Sequence, residues 1–444
     1  MTRCNSFFAC FVIELNMGAC PFTFAVSLIL GVACMFVISE ILKRVNGMNE
    51  FSKIRSDLSR FVETDQRLNS LFPPGYLSPV PSGNGESVTP PASTSASWME
   101  LSEAGVRQVR TGLQKRIDAA AIDSPEFADS LFYTLTKSGK MIRSRLIVLL
   151  GKALGVADRL EIILLGQAVE LEHCASLLHD DVVDEADTRR GIESHRKKFG
   201  DRTAILTGDR LISILVDVLA EIRIMDVTET VSQSIEALVI GELLQLMTKS
   251  GSAPSFSKDR QKLLFPTSVS DSDISSRIQL YIKKSYFKTA ALFAALAGCV
   301  AHIADLPEEK KKAIFSFGFF FGLAFQLVDD LLDVVDVDAG EVGKPVGGSD
   351  VRNGTVTLPV LLACVDEHRL STSERNEMKK MVARRFRLGG DCERTMDLLR
   401  KSDGISQSRK IVSYYLNQGR RCLAECGIGS ELQGLLNEYE VRTH

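Results

Sequence analysis

The apolar positions divide this chain into three unlike stretches. From Met17 to Ser39 the run MGACPFTFAVSLILGVACMFVIS carries no charge, and it is long enough to span a bilayer core. Lys43 and Arg44 follow it, and a basic flank favours keeping that side on the cytosolic, or equivalent, face. Residues 1–45 therefore read as a hydrophobic anchor. A cleaved signal peptide and an organelle leader are the competing readings. Across 46–100 the helical pattern is lost. Leu71 to Ser97 holds nearly half of the chain's 13 prolines, so this stretch reads as a Pro/Ser-rich tether with little to bury. From about Trp98, and certainly over 101–444, apolar residues recur at three- and four-residue spacing, as from Leu160 to Leu178 and from Ile314 to Val335. Strand-like alternation is scarce. The pattern predicts an all-α domain of many helices. It is interrupted by a Ser-rich piece over 249–273, expected to be a mobile insertion, and by a loop from Ala339 to Pro359 that holds five glycines.

Composition narrows the function classes. The 444 residues include 53 Lys+Arg against 56 Asp+Glu, a net charge of −3. That balance supplies no global field to hold nucleic acid. The 10 cysteines are scattered. Cys422 and Cys426 have no second Cys or His pair nearby, which argues against structural zinc; the cysteines read as small buried hydrophobes.

One motif occurs twice. Asp180-Asp181-Val182-Val183-Asp184 and Asp329-Asp330-Leu331-Leu332-Asp333 share the pattern DDxxD, about 150 residues apart. On a helix, positions i and i+4 share a face, so Asp180, Asp184 and Asp187 are expected to align, as are Asp329, Asp333 and Asp336. Stacked like charges destabilise a helix. One such motif could be a solvated face. Two, each embedded in Leu, Val and Phe, call for a partner, and hard oxygen ligands from two helices suit Mg²⁺. Phosphate-neutralising cations accompany them: Lys140 and Arg143 upstream, Arg189 and Arg190 after the first motif, Lys283, Lys284 and Lys288 in YIKKSYFKTA, and Lys344 in the glycine loop. Together with metal they describe a diphosphate pocket. His173 lies on the same face as Asp180 and could donate to a phosphate oxygen.

These residues carry a resemblance. EHCASLLHDDVVDEADTRRG, with GKxxR before it and FQLVDDLLD after it, resembles the trans-type polyprenyl diphosphate synthases, and most closely the long-chain members that make quinone side chains. FG…LTGD, GELLQL, KTA and GKPVG…D…GTVTLP extend it from about Phe132 to Ala363. The resemblance implies an isoprenoid-synthase-type helical bundle, usually a homodimer though a heteromer is also known in kind, with the two Asp motifs facing across a central cavity. It implies that Asp180, Asp181, Asp184, Asp329, Asp330 and Asp333 bind Mg²⁺, with Mn²⁺ as a substitute, without each needing to touch metal. Lys288 joins them at the reacting centre. Arg189, Lys288, Thr289, Gln326 and Lys344 resemble the contacts to an allylic diphosphate (farnesyl or geranylgeranyl). Lys140, Arg143, His173 and Arg190 resemble those to isopentenyl diphosphate. Two positions depart from the pattern: Met141 stands where the family usually has Arg, and Ser144 where it usually has Pro.

The implied reaction extends an allylic diphosphate by successive isopentenyl units to a long all-trans polyprenyl diphosphate. One turn below Asp180 the helix presents Ala175 and Ser176. Both are small, so they leave room for a growing hydrocarbon. A shorter-chain (geranylgeranyl-type) synthase, a non-catalytic subunit of a heteromer and a cyclase on the same fold are the alternatives. Membrane association through the N-terminus is expected, in the mitochondrion by way of quinone side-chain synthesis, with plastid and endoplasmic reticulum as alternatives.

Overall fold

The computed structural model describes residues 97–135, 139–249, 271–335 and 348–442. The expected anchor over 1–45, nearly all of the tether, most of the Ser-rich insertion, Asp336 and Lys344 lie outside the described residues. Within them the chain is a bundle of helices, as the periodicity predicts.

Helix α1 (Trp98–Asp123) begins where the proline-rich stretch ends. Ser97 Oγ accepts from the Glu100 N–H at 3.3 Å, and the Ser97 N–H donates to Glu100 Oε2 at 2.9 Å. This capping box satisfies donors that the first helical turn leaves open. The Trp98 indole N–H donates to Glu438 Oε2 at 2.7 Å, so the start of the domain is tied to its last helix. Then come α2 (Ala128–Leu135), α3 (Ile142–Ala153) and α4 (Leu160–Val183). α4 is covered by α1, α3, α6 (Asp201–Ile222) and α9 (Ala291–Ile303). Such enclosure explains why buried residues run almost all round this helix, Gln167, Glu170, Glu172 and His179 among them. Gly208 lets α6 approach α4 closely: a Cβ there would lie 2.3 Å from His179 Nε2.

A small departure from the all-α expectation follows α4. Thr188–Arg189 (β1) pairs antiparallel with Ile192–Glu193 (β2). Arg190 (φ 51°) and Gly191 (φ 76°) form the turn between them, the two left-handed positions that a tight hairpin requires. A pair of two-residue strands is too short to register as alternation in the sequence. After the hairpin come the short α5 (His195–Phe199), then α6 and α7 (Met225–Lys249).

The stretch α8 (Asp271–Ser285), a π-helical turn (Tyr286–Ala290) and α9 runs nearly unbroken before α10 (Glu308–Val334). Ile274–Ile303 and α10 are each long and apolar enough to cross a membrane. Both are core helices here, since most of their length is enclosed by neighbours. α10 lies against α9 on one side and α15 (Gly404–Glu425) on the other. Its Phe317, Phe320 and Phe321 are fully buried. Phe321 packs edge-on against Phe293 and Tyr439, with centroids 5.3 Å away in each case, contacts worth about 0.5–1.5 kcal/mol each beyond area burial. The chain finishes with α11 (Ser349–Arg352), α12 (Leu358–Ala363), α13 (Thr372–Ala383), α14 (Asp391–Lys401), α15 and α16 (Ser430–Val441). The described cysteines are free thiols, and Cys299, Cys364 and Cys426 are buried.

Candidate active site

The first acidic motif occupies the C-terminal end of α4. Asp184 is its C-cap, so the aligned stripe stops there. Asp187, expected to extend it, instead pairs with Arg196 and Lys197 at 3.2 Å each. Asp181 is buried, and Asp180 is half-buried. The hairpin brings Arg189 back over both: its Nε donates to Asp181 Oδ1 at 2.9 Å, its Nη2 reaches the same oxygen, and Nη2 lies 3.6 Å from Asp180 Oδ2. Burial lifts the Asp181 carboxyl above the usual range, against the pull of Arg189.

The π-helical turn supplies the opposite wall. Such turns add a residue to the helical register and re-aim the side chains in them. Lys288 Nζ lies 2.7 Å from Glu242 Oε1 and 3.4 Å from Asp180 Oδ1. Burial opposes the ammonium, but Asp180 and Glu242 outweigh it and hold the Lys288 pKa above its ordinary value. Burial and the Asp180 charge push Glu242 up to about 7. Gly241 permits this arrangement: a Cβ there would lie 2.8 Å from Lys288 Cγ and 2.9 Å from its backbone N. Gly241→Ala must therefore displace the Lys288 backbone. It is expected to lower kcat/KM about 100-fold, as misplacement by an ångström does. Steady-state kinetics on the variant check this.

Thr289, the next residue, links this wall to the second motif on α10. Thr289 Oγ1 donates to Gln326 Oε1 at 2.6 Å, and Gln326 Nε2 donates to Asp330 Oδ1 at 2.8 Å. The Tyr281 hydroxyl donates to the other Asp330 oxygen. Asp330 is thus buried and bonded on both oxygens, and desolvation raises it to about 6. Asp329 is exposed. Asp333 accepts from the Ser349 hydroxyl and from the backbone N–H groups of Ser349 (3.1 Å) and Asp350 (2.9 Å) at the start of α11. Asp350 is raised to about 7 by burial and then by the charges of Asp330 and Asp333. One short chain of residues, Asp180–Lys288–Thr289–Gln326–Asp330, therefore joins the two acidic motifs.

The upstream cations converge beside the first motif. A Cβ on Gly139 would lie 3.2 Å from the Arg190 guanidinium, which sets the loop of Lys140 against the hairpin tip. His173 is driven well below its ordinary pKa, first by burial, then by Arg143, Arg190 and Arg189, so its ring is neutral at pH 7. The Arg143 guanidinium lies over the Phe293 ring, 5.1 Å from its centroid. Its buried Nε meets no hydrogen-bond acceptor, a vacancy of the kind a phosphate oxygen fills. Met141 is buried, with Arg110 Nη2 3.6 Å from its sulfur. Ser144 donates to Glu170 Oε1 from its hydroxyl (2.7 Å) and its backbone N–H (3.3 Å); a proline could do neither.

Below Asp180 lies a narrow pocket of about 30 Å³, partly open to solvent. Ala175 and Ser176 line it, with Ile212 from α6 and Ile235, Leu238 and Val239 from α7. Among the described residues no three His, Cys, Asp or Glu form a ready-made metal cage. The donor set is all carboxylate and spread over two walls, which suits a hard ion that keeps water and phosphate in its shell. Sequence reading did not single out Glu242, Tyr281, Asp350 or Glu172. All four lie inside motif segments: Glu172 opens EHCASLLHDD, Tyr281 opens YIKKSYFKTA, Glu242 is in GELLQL and Asp350 in the glycine loop.

The family model described as Polyprenyl synthetase matches residues 124–399. The chain belongs to that family. Relatives of this chain include the decaprenyl-diphosphate synthase of Dictyostelium discoideum, 35% identical over 298 residues (66% of this chain, 56% of that protein). Another is the mitochondrial hexaprenyl pyrophosphate synthase of Saccharomyces cerevisiae, 32% identical over 304 residues (63% of this chain, 62% of that protein). The chain thus spans less than two thirds of the length of either. Among solved structures, a polyprenyl synthase from Caulobacter crescentus complexed with calcium and isoprenyl diphosphate aligns with TM-score 0.61 and 27% identity, covering 78% of this chain and 96% of that one. The two Asp motifs, the hairpin and the π turn all lie within the matched residues.

Proposed function

We propose that this protein condenses an allylic prenyl diphosphate with successive isopentenyl diphosphates, in a Mg²⁺-dependent reaction, to give a long-chain all-trans polyprenyl diphosphate. The observation that carries the reading is the link from Asp180 through Lys288, Thr289 and Gln326 to Asp330. It ties the two acidic motifs together through a few side chains, above a pocket with largely apolar walls.

We assign Asp180, Asp184 and Asp329 to the metal, with Asp333, whose oxygens also accept from Ser349 and Asp350, beside them. Mg²⁺, when bound, neutralises the allylic diphosphate and makes it a leaving group. Lys288, Arg189 and Thr289 hold that diphosphate from its sides. Lys140, Arg143, Arg190 and the neutral His173 hold the isopentenyl diphosphate, with Arg143 Nε donating. As the allylic C–O bond breaks, the isopentenyl double bond attacks the allylic carbon. The departing diphosphate takes the proton then lost, so no protein base is required. Asp181 and Asp330 act as brackets, the first orienting Arg189 and the second Gln326 and Tyr281. The apolar walls exclude water from the cation.

Supplying purified full-length protein with radiolabelled isopentenyl diphosphate, farnesyl diphosphate and Mg²⁺ tests the reading. A ladder of prenyl alcohols after dephosphorylation is expected; no incorporation would reject it. Placing a ring in that pocket, by Ala175→Phe or Ser176→Phe, is expected to shorten the products by several isoprene units on reversed-phase chromatography. The mitochondrial relative and the uncharged N-terminal run support a membrane-associated, mitochondrial role in making a quinone side chain, and the family resemblance supports a homodimer.

A further inference from the structure

Helix α7 carries GELLQL near its C-terminal end, and two of those side chains attend the first acidic motif. Glu242 Oε1 lies 2.7 Å from Lys288 Nζ, and the same Nζ lies 3.4 Å from Asp180 Oδ1. About one turn on, Gln245 Nε2 donates to Asp184 Oδ2 at 3.4 Å. Residues three apart on a helix are neighbours, as are residues four apart. One face of α7 therefore serves both carboxylates of one face of α4, Asp180 through Lys288 and Asp184 directly. Neither Glu242 nor Gln245 has a part in the mechanism above. We propose that Glu242 is a positioning residue for the metal site: it draws the Lys288 ammonium off Asp180 and so leaves Asp180 open to the cation, while Gln245 fixes the Asp184 carboxylate beside it. The inference rests on the synthase reading above and adds to it the residues that keep the first motif ready for its ion.

An ammonium and a divalent cation compete for the same carboxylate. Lys288 stays charged, because Asp180 and Glu242 outweigh its burial. Its side chain is 20% exposed and that of Asp180 21%, so water screens their attraction poorly. With Asp180 as its one carboxylate, Lys288 would close on it, and an incoming cation would first have to displace the ammonium. Glu242 offsets that pull. It is the more buried of the two acids, at 11% exposed. Its Oε2 is buried and meets no hydrogen-bond donor among the described residues, so Lys288 is the group that answers its charge. Taking Lys288 away would strand a buried carboxylate, which is costly. Asp180 depends on Lys288 less, since Arg189 Nη2 also lies 3.6 Å from its Oδ2. The ammonium accordingly sits nearer Glu242 than Asp180. Of its three protons, one goes to Glu242 and one is turned to Asp180, which leaves the third for the allylic diphosphate. Gly241 sets the reach, because a Cβ there would press on the Lys288 backbone. Such outer partners fix where a ligating carboxylate points and what competes for it.

Mn²⁺ alone is titrated at pH 8 into full-length wild type, Glu242→Gln, Lys288→Met and the double variant, and the bound ion is read from the loss of the free Mn²⁺ signal in electron paramagnetic resonance. Glu242→Gln keeps the shape without the charge and is expected to weaken binding about tenfold, the low end for outer partners of a metal ligand. Lys288→Met removes the competitor and is expected to tighten it. In the Lys288→Met background Glu242→Gln is expected to weaken binding by no more than about threefold, because the ammonium it acts through is gone. Gln245→Leu weakens binding to the same extent whichever residue stands at 288. In steady state Glu242→Gln raises the Mg²⁺ concentration for half-maximal rate, while KM for isopentenyl diphosphate stays within about twofold of wild type; a general loosening of the fold would raise both. Unchanged Mn²⁺ binding in Glu242→Gln overturns the proposal. So does a loss as large in the Lys288→Met background as in the wild type, which would make Glu242 a charge acting on the ion directly. Wild type that incorporates isopentenyl groups yet binds no Mn²⁺ alone overturns it too and spares the synthase reading. Wild type that incorporates none rejects that reading, and the proposal falls with it.

Discussion

Asp180→Asn is expected to lower kcat/KM for the allylic diphosphate by about 1000-fold, the scale on which removing one preorganised charge from a developing leaving group acts. The substitution keeps the shape of the side chain and removes its charge. Three things are lost together. One metal-facing oxygen loses its negative charge. Lys288, now shared between Asp180 and Glu242, collapses onto Glu242. Arg189 keeps only Asp181. Because Asp180 is only half-buried, the melting temperature should move by no more than about 2 °C. Asp329→Asn on the facing motif should act with similar size, and chelation by EDTA should remove activity from the wild type and restore it on adding Mg²⁺. Single-turnover rates with labelled substrate, read beside thermal unfolding, check all three. An Asp180→Asn enzyme within tenfold of wild type would remove that residue from the reacting centre.

The second large effect is on stability. Glu172 titrates near 8 in the folded chain because burial disfavours its charge, whereas an unfolded glutamate titrates near 4.3. Its folded pKa is the higher, so the folded state holds the proton more tightly. The stability that this gives is complete below about pH 4 and is lost as pH rises toward 8. Over that window the loss approaches about 5 kcal/mol at 1.36 kcal/mol per pKa unit. Glutamine carries no such proton. Glu172→Gln should match the wild type below about pH 4 and then outlast it in thermal or urea unfolding by a margin that widens up to pH 8 and is flat beyond. A margin independent of pH would mean that Glu172 is charged throughout.

Legibility differed by how many segments a feature needs. Helices α4 and α10 were visible because their apolar spacing is continuous and because each ends on a DDxxD motif, an odd thing to find in an apolar run. The bundle architecture follows from that periodicity and from the resemblance. Arg189 and Arg190 were visible as charges, yet the hairpin that carries them rests on two left-handed residues, Arg190 and Gly191, that leave no hydrophobic trace. Asp187 was expected on the acidic stripe because helical spacing was extended past the residue where the helix stops. Tyr281, Glu242 and Asp350 escaped notice because each matters only through a partner far along the chain: Asp330, Lys288 and Asp333 respectively. Glu172 looked like one more charge beside Glu170 in the run VELEH. Only packing shows that Glu170 meets Ser144 and Glu172 meets Ser234.

The hydrogen bond from Trp98 to Glu438 has a consequence for the order of the chain. It sets the first helix of the bundle against the last, so the two ends of the domain adjoin. Connectivity and packing are then separable. A circular permutant that joins α16 to α1 by a short glycine-serine bridge, and opens at the exposed turn between α13 and α14, would present the same helices to one another in a different sequence of joints.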